Sequence, residues 1–215
     1  MTRNFVGITG ASGHAYAEAL VRALVGAGHE VDLCVTPAGA KVLRHELGIE
    51  TGEGGRELAR ALPGWFGADM ARSMRAFASD AIEAPPSSGS ALTGAVIVCP
   101  CSMGTLARVR AGFSSNLVER AADVALKEGR KLVLVPRETP LSQIHLENLL
   151  ALARMGAIVL PAMPGFYHRP KTLEDLVTHV TGKILDRLGI EHAGQRWKGT
   201  DEPPPETGSD PRGSA

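Results

Sequence analysis

The chain has 215 residues, and its 23 Lys and Arg balance 23 Asp and Glu. That length suits one α/β domain with a sizeable core, and zero formal charge leaves no electrostatic footprint for nucleic acid or a membrane surface. Aromatic residues make up 4 %, which argues against base-stacking platforms, while 25 glycines favour tight turns and close backbone approach to a ligand.

The opening "MTRNFVGITGASG" lacks the apolar core of a signal peptide. No apolar run approaches the roughly 18 residues that span a bilayer. Cys34, Cys99 and Cys101 form no disulfide framework, so a soluble, cytoplasmic protein is expected. Hydrophobic periodicity predicts strands over 4–9, 30–36, 94–100, 131–136 and 156–161. Helices are predicted over 14–27, 38–47, 103–111, 116–128, 142–155 and 172–188. The Gly/Ala/Pro-rich stretch 49–92 gives only short helices near 56–61 and 66–73. Strands alternating with helices imply βαβ units and a doubly wound, mostly parallel sheet in a single domain over 1–190. The polar, Pro-rich tail 191–215 has almost nothing to bury and is expected to be largely disordered.

Ligands of such sheets sit beyond the carboxyl ends of the strands. After the first strand comes "GITGASG", a glycine turn opening a helix, where backbone N–H groups can meet an anion. It is not GxGxxG, and no acidic residue ends the second strand, so a nicotinamide dinucleotide is disfavoured. The plain alternative is a tight turn with Ser12 near a capping position. Thr36 ends the second strand just before a helix, and either capping or ligand contact fits it.

The third strand ends in "VCPCSMGT". A CxC pair cannot supply four zinc ligands and makes a strained disulfide, so Cys99 and Cys101 read as small apolar residues. Ser102 to Thr105 then present hydroxyls and N–H groups at a helix start. In "VPRETP", Arg137 suits a phosphate and Glu138 a proton transfer, against the alternative of a surface ion pair. "PGFYHRP" carries Tyr167, His168 and Arg169 on a Pro/Gly-framed loop, with His168 read as a surface or supporting residue. In "NLVERAADVALKEGRK", Arg120 and Lys127 are two helical turns apart and share a face, solvated by default.

Together "GITGASG", "PPSSGS", "CPCSMGTLA", "ERAADVALKE", "LVPRETP" and "PGFYHRP" closely resemble the UbiX-type flavin prenyltransferases, in the same order from residue 4 to about 190. The resemblance implies a Rossmann-like, three-layer flavoprotein fold and a homododecamer with FMN between subunits. It implies that a dimethylallyl group from dimethylallyl phosphate is joined to N5 and C6 of reduced FMN. The product, prenylated FMN, would pass to a UbiD-type decarboxylase. Matched to the family's motifs, Gly10, Ala11, Ser12, Gly13, Thr36, Ser102, Met103, Gly104, Thr105 and Arg137 are expected to bind FMN. Arg120, Lys127, Glu138, Tyr167 and Lys183 are expected to bind dimethylallyl phosphate. Ser12 and Glu138 are expected to handle protons, and Glu46 to stand near the prenyl pocket as a further catalytic residue.

Three departures stand out. Thr36 replaces a common serine, Ile82 stands where some relatives carry tryptophan, and Lys183 where some carry arginine. There is no DDxxD motif for Mg²⁺, and lysines, arginines and a tyrosine can supply the charge instead, so no metal is expected. Two rivals share the fold or ligand. An FMN-dependent decarboxylase of the phosphopantothenoylcysteine type would carry a Pro-Met-Asn loop, which is missing. A non-catalytic flavin carrier would not need the second phosphate set.

Overall fold

The structure is a computed structural model and describes residues 2–91, 93–192 and 194. Four strands carry long buried runs, as expected for a parallel sheet covered on both faces: β1 (Arg3–Ile8), β2 (Glu30–Val35), β4 (Thr93–Cys101) and β5 (Lys131–Pro136), while β6 (Ile158–Val159) is short and half-buried. A further strand, β3 (Met74–Ala78), completes the order β3-β2-β1-β4-β5-β6, every pair parallel. This is the three-layer Rossmann-like arrangement, with helices on both faces.

The third strand corrects the sequence reading, which placed only short helices in that region. Its segment "MRAFA" lacks a sustained apolar run; pairing with β2, from Val31↔Met74 to Val35↔Ala78, makes it a strand. Arg75 also ties it down. Asp32 on β2 is 1 % exposed and accepts from Arg75 at 2.8 and 2.7 Å and from Arg3 at 3.0 Å. A buried carboxylate held by two guanidinium groups thus joins three neighbouring strands.

The helices are α1 (His14–Gly26), α2 (Pro37–Leu47), α3 (Leu58–Phe66), α4 (Ala68–Ala71), α5 (Met103–Arg110), α6 (Leu117–Lys127), α7 (Gln143–Arg154) and α8 (Leu173–Leu188). Side-chain caps start five of them: Thr36, Ser102, Asn116, Ser142 and Thr172 each accept from a backbone N–H of the first turn. One core cluster packs α1 and α8 on one face of the sheet, and the other packs α5 and α6 on the opposite face. The chain runs outward from β1 to β3 and returns to β4, so a crevice opens at the carboxyl ends of β1 and β4. Among the described residues no helix is long and apolar enough to cross a membrane. Nearly all of the tail expected over 191–215 lies outside the described residues.

Candidate active site

The glycine turn after β1 is shaped by two contacts. Gly13 has φ +106°, which a side chain resists, and a Cβ on Gly10 would lie 2.7 Å from Ala38 Cβ. Helix α1 therefore starts against α2. The carboxylate of Glu46, from the last turn of α2, accepts from Gly13 N–H at 3.2 and 3.0 Å and from His14 N–H at 2.9 Å. Partial burial pushes Glu46 up, but hydrogen bonds from the Ser12 hydroxyl and those two N–H groups hold it below the usual glutamate value. Ser12 and Glu46 thus come together at the start of α1.

Beneath the turn, His14 is fully buried and bonds through Nε2 to Thr9 C=O at 3.1 Å. A carbonyl only accepts, so Nε2 carries the proton, and burial keeps the ring below its ordinary pKa. Thr9 then fastens β1 to β4. Its hydroxyl donates to Pro100 C=O at 2.8 Å and accepts from Ser102 N–H at 2.7 Å.

Ser102 caps α5 by accepting from Thr105 N–H at 3.2 Å, and its hydroxyl lies 3.1 Å from Thr105 Oγ1. Thr36 caps α2 by accepting from Gly39 N–H at 3.1 Å, so capping describes both hydroxyls in this structure. Thr105 Oγ1 also accepts from Arg108 at 3.3 Å, and Arg108 is paired with Glu119. The Glu119 side chain is fully buried and accepts from Ser115 N–H at 2.9 Å and from the Ser115 hydroxyl at 2.6 Å. Burial raises Glu119, yet Ser115 and Arg108 bring it below its ordinary value. Cys99 and Cys101 are wholly buried; burial pushes Cys101 up to about 12 and Cys99 higher, so both are thiols that close the strand.

This wall suits a phosphate-bearing flavin. The start of α5 faces the crevice, and its first N–H groups have no acceptor inside the helix.

Beyond β5, Arg137 donates its N–H to Cys101 C=O at 3.4 Å, and its exposed side chain lies near Tyr16. Burial raises Tyr16, with the neighbouring Cys99 adding and Arg137 opposing. Half-buried Glu138 accepts from Thr139 N–H at 3.0 Å. Among the described residues Glu138 and Arg137 form no ion pair, so the surface-pair alternative does not describe them.

The loop after β6 runs alongside the end of β5, with Ala162 N–H donating to Pro136 C=O at 3.0 Å. Tyr167 Oη lies 3.0 Å from His179 Nε2, and His179 Nδ1 accepts from Gly165 N–H at 3.2 Å. His168 stacks on His179, ring centroids 4.9 Å apart and 8° from parallel. Exposed Lys183 follows His179 by one turn of α8.

One expected residue is not brought to this edge. Helix α6 runs antiparallel to the strands, from Leu117 N–H on Ser79 C=O beyond β3 towards the start of β5. Lys127, its last residue, pairs with Glu128 beside Gly89, shortly before β4 begins. The length of β5, about 20 Å, separates that end from Arg137. Arg120, directly after Glu119 in the first turn of the same helix, pairs with Asp123 at 2.9 Å.

Four side chains on this edge escaped the sequence reading: His14, Tyr16, Glu119 and His179. For Glu119 a signal existed, because Asn116 followed by Glu119 is a helix-start pattern. For His179 the spacing of one turn to Lys183 is the only trace.

Comparison with known proteins gives consistent matches. The model of the Flavoprotein family matches residues 2–185. The flavin prenyltransferase UbiX of Halalkalibacterium halodurans is 50 % identical over 187 residues, 87 % of this chain and 88 % of that protein. The dodecameric FMN-dependent UbiX-like decarboxylase of Escherichia coli O157:H7 superimposes with a TM-score of 0.78 at 44 % identity, covering 92 % of this chain and all of that one. AnUbiX (PadA1), solved with FMN and dimethylallyl pyrophosphate, gives a TM-score of 0.81 at 35 % identity, covering 92 % of this chain and 98 % of that one.

Proposed function

The chain belongs to the flavoprotein family and within it to the UbiX flavin prenyltransferases, and from that premise we propose that it joins a dimethylallyl group from dimethylallyl phosphate to N5 and C6 of reduced FMN. It is a transferase, and FMN is its substrate. The observation that best supports the reading is an anion-ready helix start on the sheet edge: the first N–H groups of α5 have no acceptor inside the helix, and Arg137 follows the neighbouring strand β5 with its own N–H fastened to Cys101 C=O.

In this reading Gly10 to Gly13, Thr36, Ser102 to Thr105 and Arg137 hold FMN through backbone N–H groups, hydroxyls and one guanidinium. Tyr167, Lys183, Arg120 and Lys127 bind the allylic phosphate. As its C–O bond breaks, the phosphate leaves with the electron pair, and cations and the phenol stabilise the growing charge. Lysine and arginine make a metal unnecessary, so EDTA leaves the rate unchanged. Glu138 passes a proton to or from the leaving group, and Ser12, bonded to Glu46, relays the proton lost from the flavin.

The location of Lys127 at the far end of α6 favours its serving a neighbouring copy. The chain is proposed to assemble as a dodecamer like its E. coli neighbour, with the site shared between subunits. Prenylated FMN then goes to a UbiD-type decarboxylase, in the cytoplasm, and residues 191–215 stand outside the catalytic domain.

Anaerobic incubation with reduced FMN and dimethylallyl mono- or diphosphate, followed by the mass of the flavin, tests this. A five-carbon adduct is expected. Unmodified flavin with both donors overturns the reading, and neither a decarboxylase nor a carrier yields the adduct.

A further inference from the structure

We infer that His179 is a positioning residue for Tyr167, holding the phenol so that its own proton is donated to the leaving allylic phosphate. The inference rests on the reading of Tyr167 as a phosphate ligand. The hydrogen-bond order follows from one fixed donor. Gly165 N–H can only donate, and it points to His179 Nδ1 at 3.2 Å, so that nitrogen carries a lone pair. In a neutral imidazole the hydrogen then sits on Nε2. Nε2 lies 3.0 Å from Tyr167 Oη and donates to it. The phenol oxygen is thereby the acceptor towards His179, and its hydrogen is turned away from that ring. A hydroxyl that accepts a hydrogen bond is polarised into a better donor.

The surroundings hold this arrangement. His168 stacks against His179 almost parallel and limits its rotation. A Cβ at Gly165 would meet the Tyr167 ring at 2.9 Å and His179 Cε1 at 3.3 Å, so only glycine lets the loop seat against both rings. Burial first, then the nearby His168 and Lys183, holds His179 below its ordinary pKa and so neutral. Lys183 stands one turn along the same helix, which ties the phenol to the position of the ammonium.

Three variants separate positioning from support. Phenylalanine at His179→Phe keeps a ring but no hydrogen bonds. In His179→Asn the amide oxygen reproduces the Nδ1 acceptor for Gly165, and in His179→Gln the amide nitrogen reproduces the Nε2 donor to Tyr167. His179→Phe and His179→Asn are expected to lower kcat/KM for dimethylallyl phosphate about tenfold, with FMN affinity unchanged. His179→Gln is expected to restore kcat/KM to within about twofold, and His179→Phe to cost nothing further in a Tyr167→Phe background. Wild-type kcat/KM in His179→Phe, or rescue by asparagine in place of glutamine, overturns the inference. If Tyr167→Phe is itself silent, the reading of Tyr167 fails and takes the inference with it. If Tyr167→Phe is impaired and His179→Phe is not, only the inference falls.

Discussion

The two halves of the sheet edge are built differently. Around β1, β2 and β4 nearly every polar side chain is already engaged within the chain: Ser12 with Glu46, Thr9 with Ser102 and Pro100, Thr105 with Arg108, and Arg108 with Glu119. Around β5, β6 and the end of α6 the candidate groups are exposed or half-buried, and Lys127 lies at the opposite end of the sheet. A broad planar substrate needs a wall that is in place before it arrives. A small anion can be gripped by long cationic side chains converging from more than one subunit.

The largest effect should come from breaking the shared half. Lys127→Ala and Glu138→Gln are each expected to lower prenyl transfer at least about 100-fold. Co-expressed as mixed oligomers, they should regain roughly a quarter of the sites, because some sites draw both intact residues from different subunits. No recovery in the mixture would mean that one chain supplies both groups.

Next comes the engaged wall. Glu119→Ala strips the partner from Arg108 and the one oxygen that accepts both Ser115 hydrogen bonds, and should cost about 3 kcal/mol in urea unfolding together with weaker FMN binding. Unchanged stability would show that this network is not what holds the wall. Cys99→Ala and Cys101→Ala should each cost about 1–2 kcal/mol from lost packing, while prenyl transfer stays within about twofold of wild type. A large rate loss would return chemistry to the thiols.

The smallest effect concerns acid. Glu46 is held below its ordinary value, so its contribution to stability is fully present above the reference pKa of 4.5 and fades as pH falls through the lowered value. A plot of Tm against pH should show this acid limb in wild type and a flatter one in Glu46→Gln. Parallel curves would remove Glu46 from the start of α1.

The sequence made the alternation of strands and helices legible, along with the turn after β1, the hydroxyls after β4 and the Arg-Glu pair after β5. Each rests on local pattern, since a buried strand, a cap or a glycine turn is written in consecutive residues. What escaped depends on partners far along the chain. Strand β3 exists because β2 offers it a ladder and Asp32 takes its Arg75. His179 meets Tyr167 across a loop that no periodicity describes. Lys127 and Arg120 were legible as one helix face, but not which end of the sheet that face would reach.

The edges of the sheet bear on how copies of this chain can meet. One edge strand, β3, has five residues and carries the half-exposed guanidinium of Arg75, bonded back to Asp32 on β2; the other, β6, has two residues between Gly156 and Pro161. Neither offers a long, flat, uncharged row of N–H and C=O groups, the kind of border along which sheets fuse into fibres. In the proposed dodecamer, copies would meet through side chains on helices and loops instead. Helix α7 presents Ile144, Leu146 and Leu150 at more than half exposure. A closed assembly can form on those faces while the borders of the sheet guard against open-ended growth.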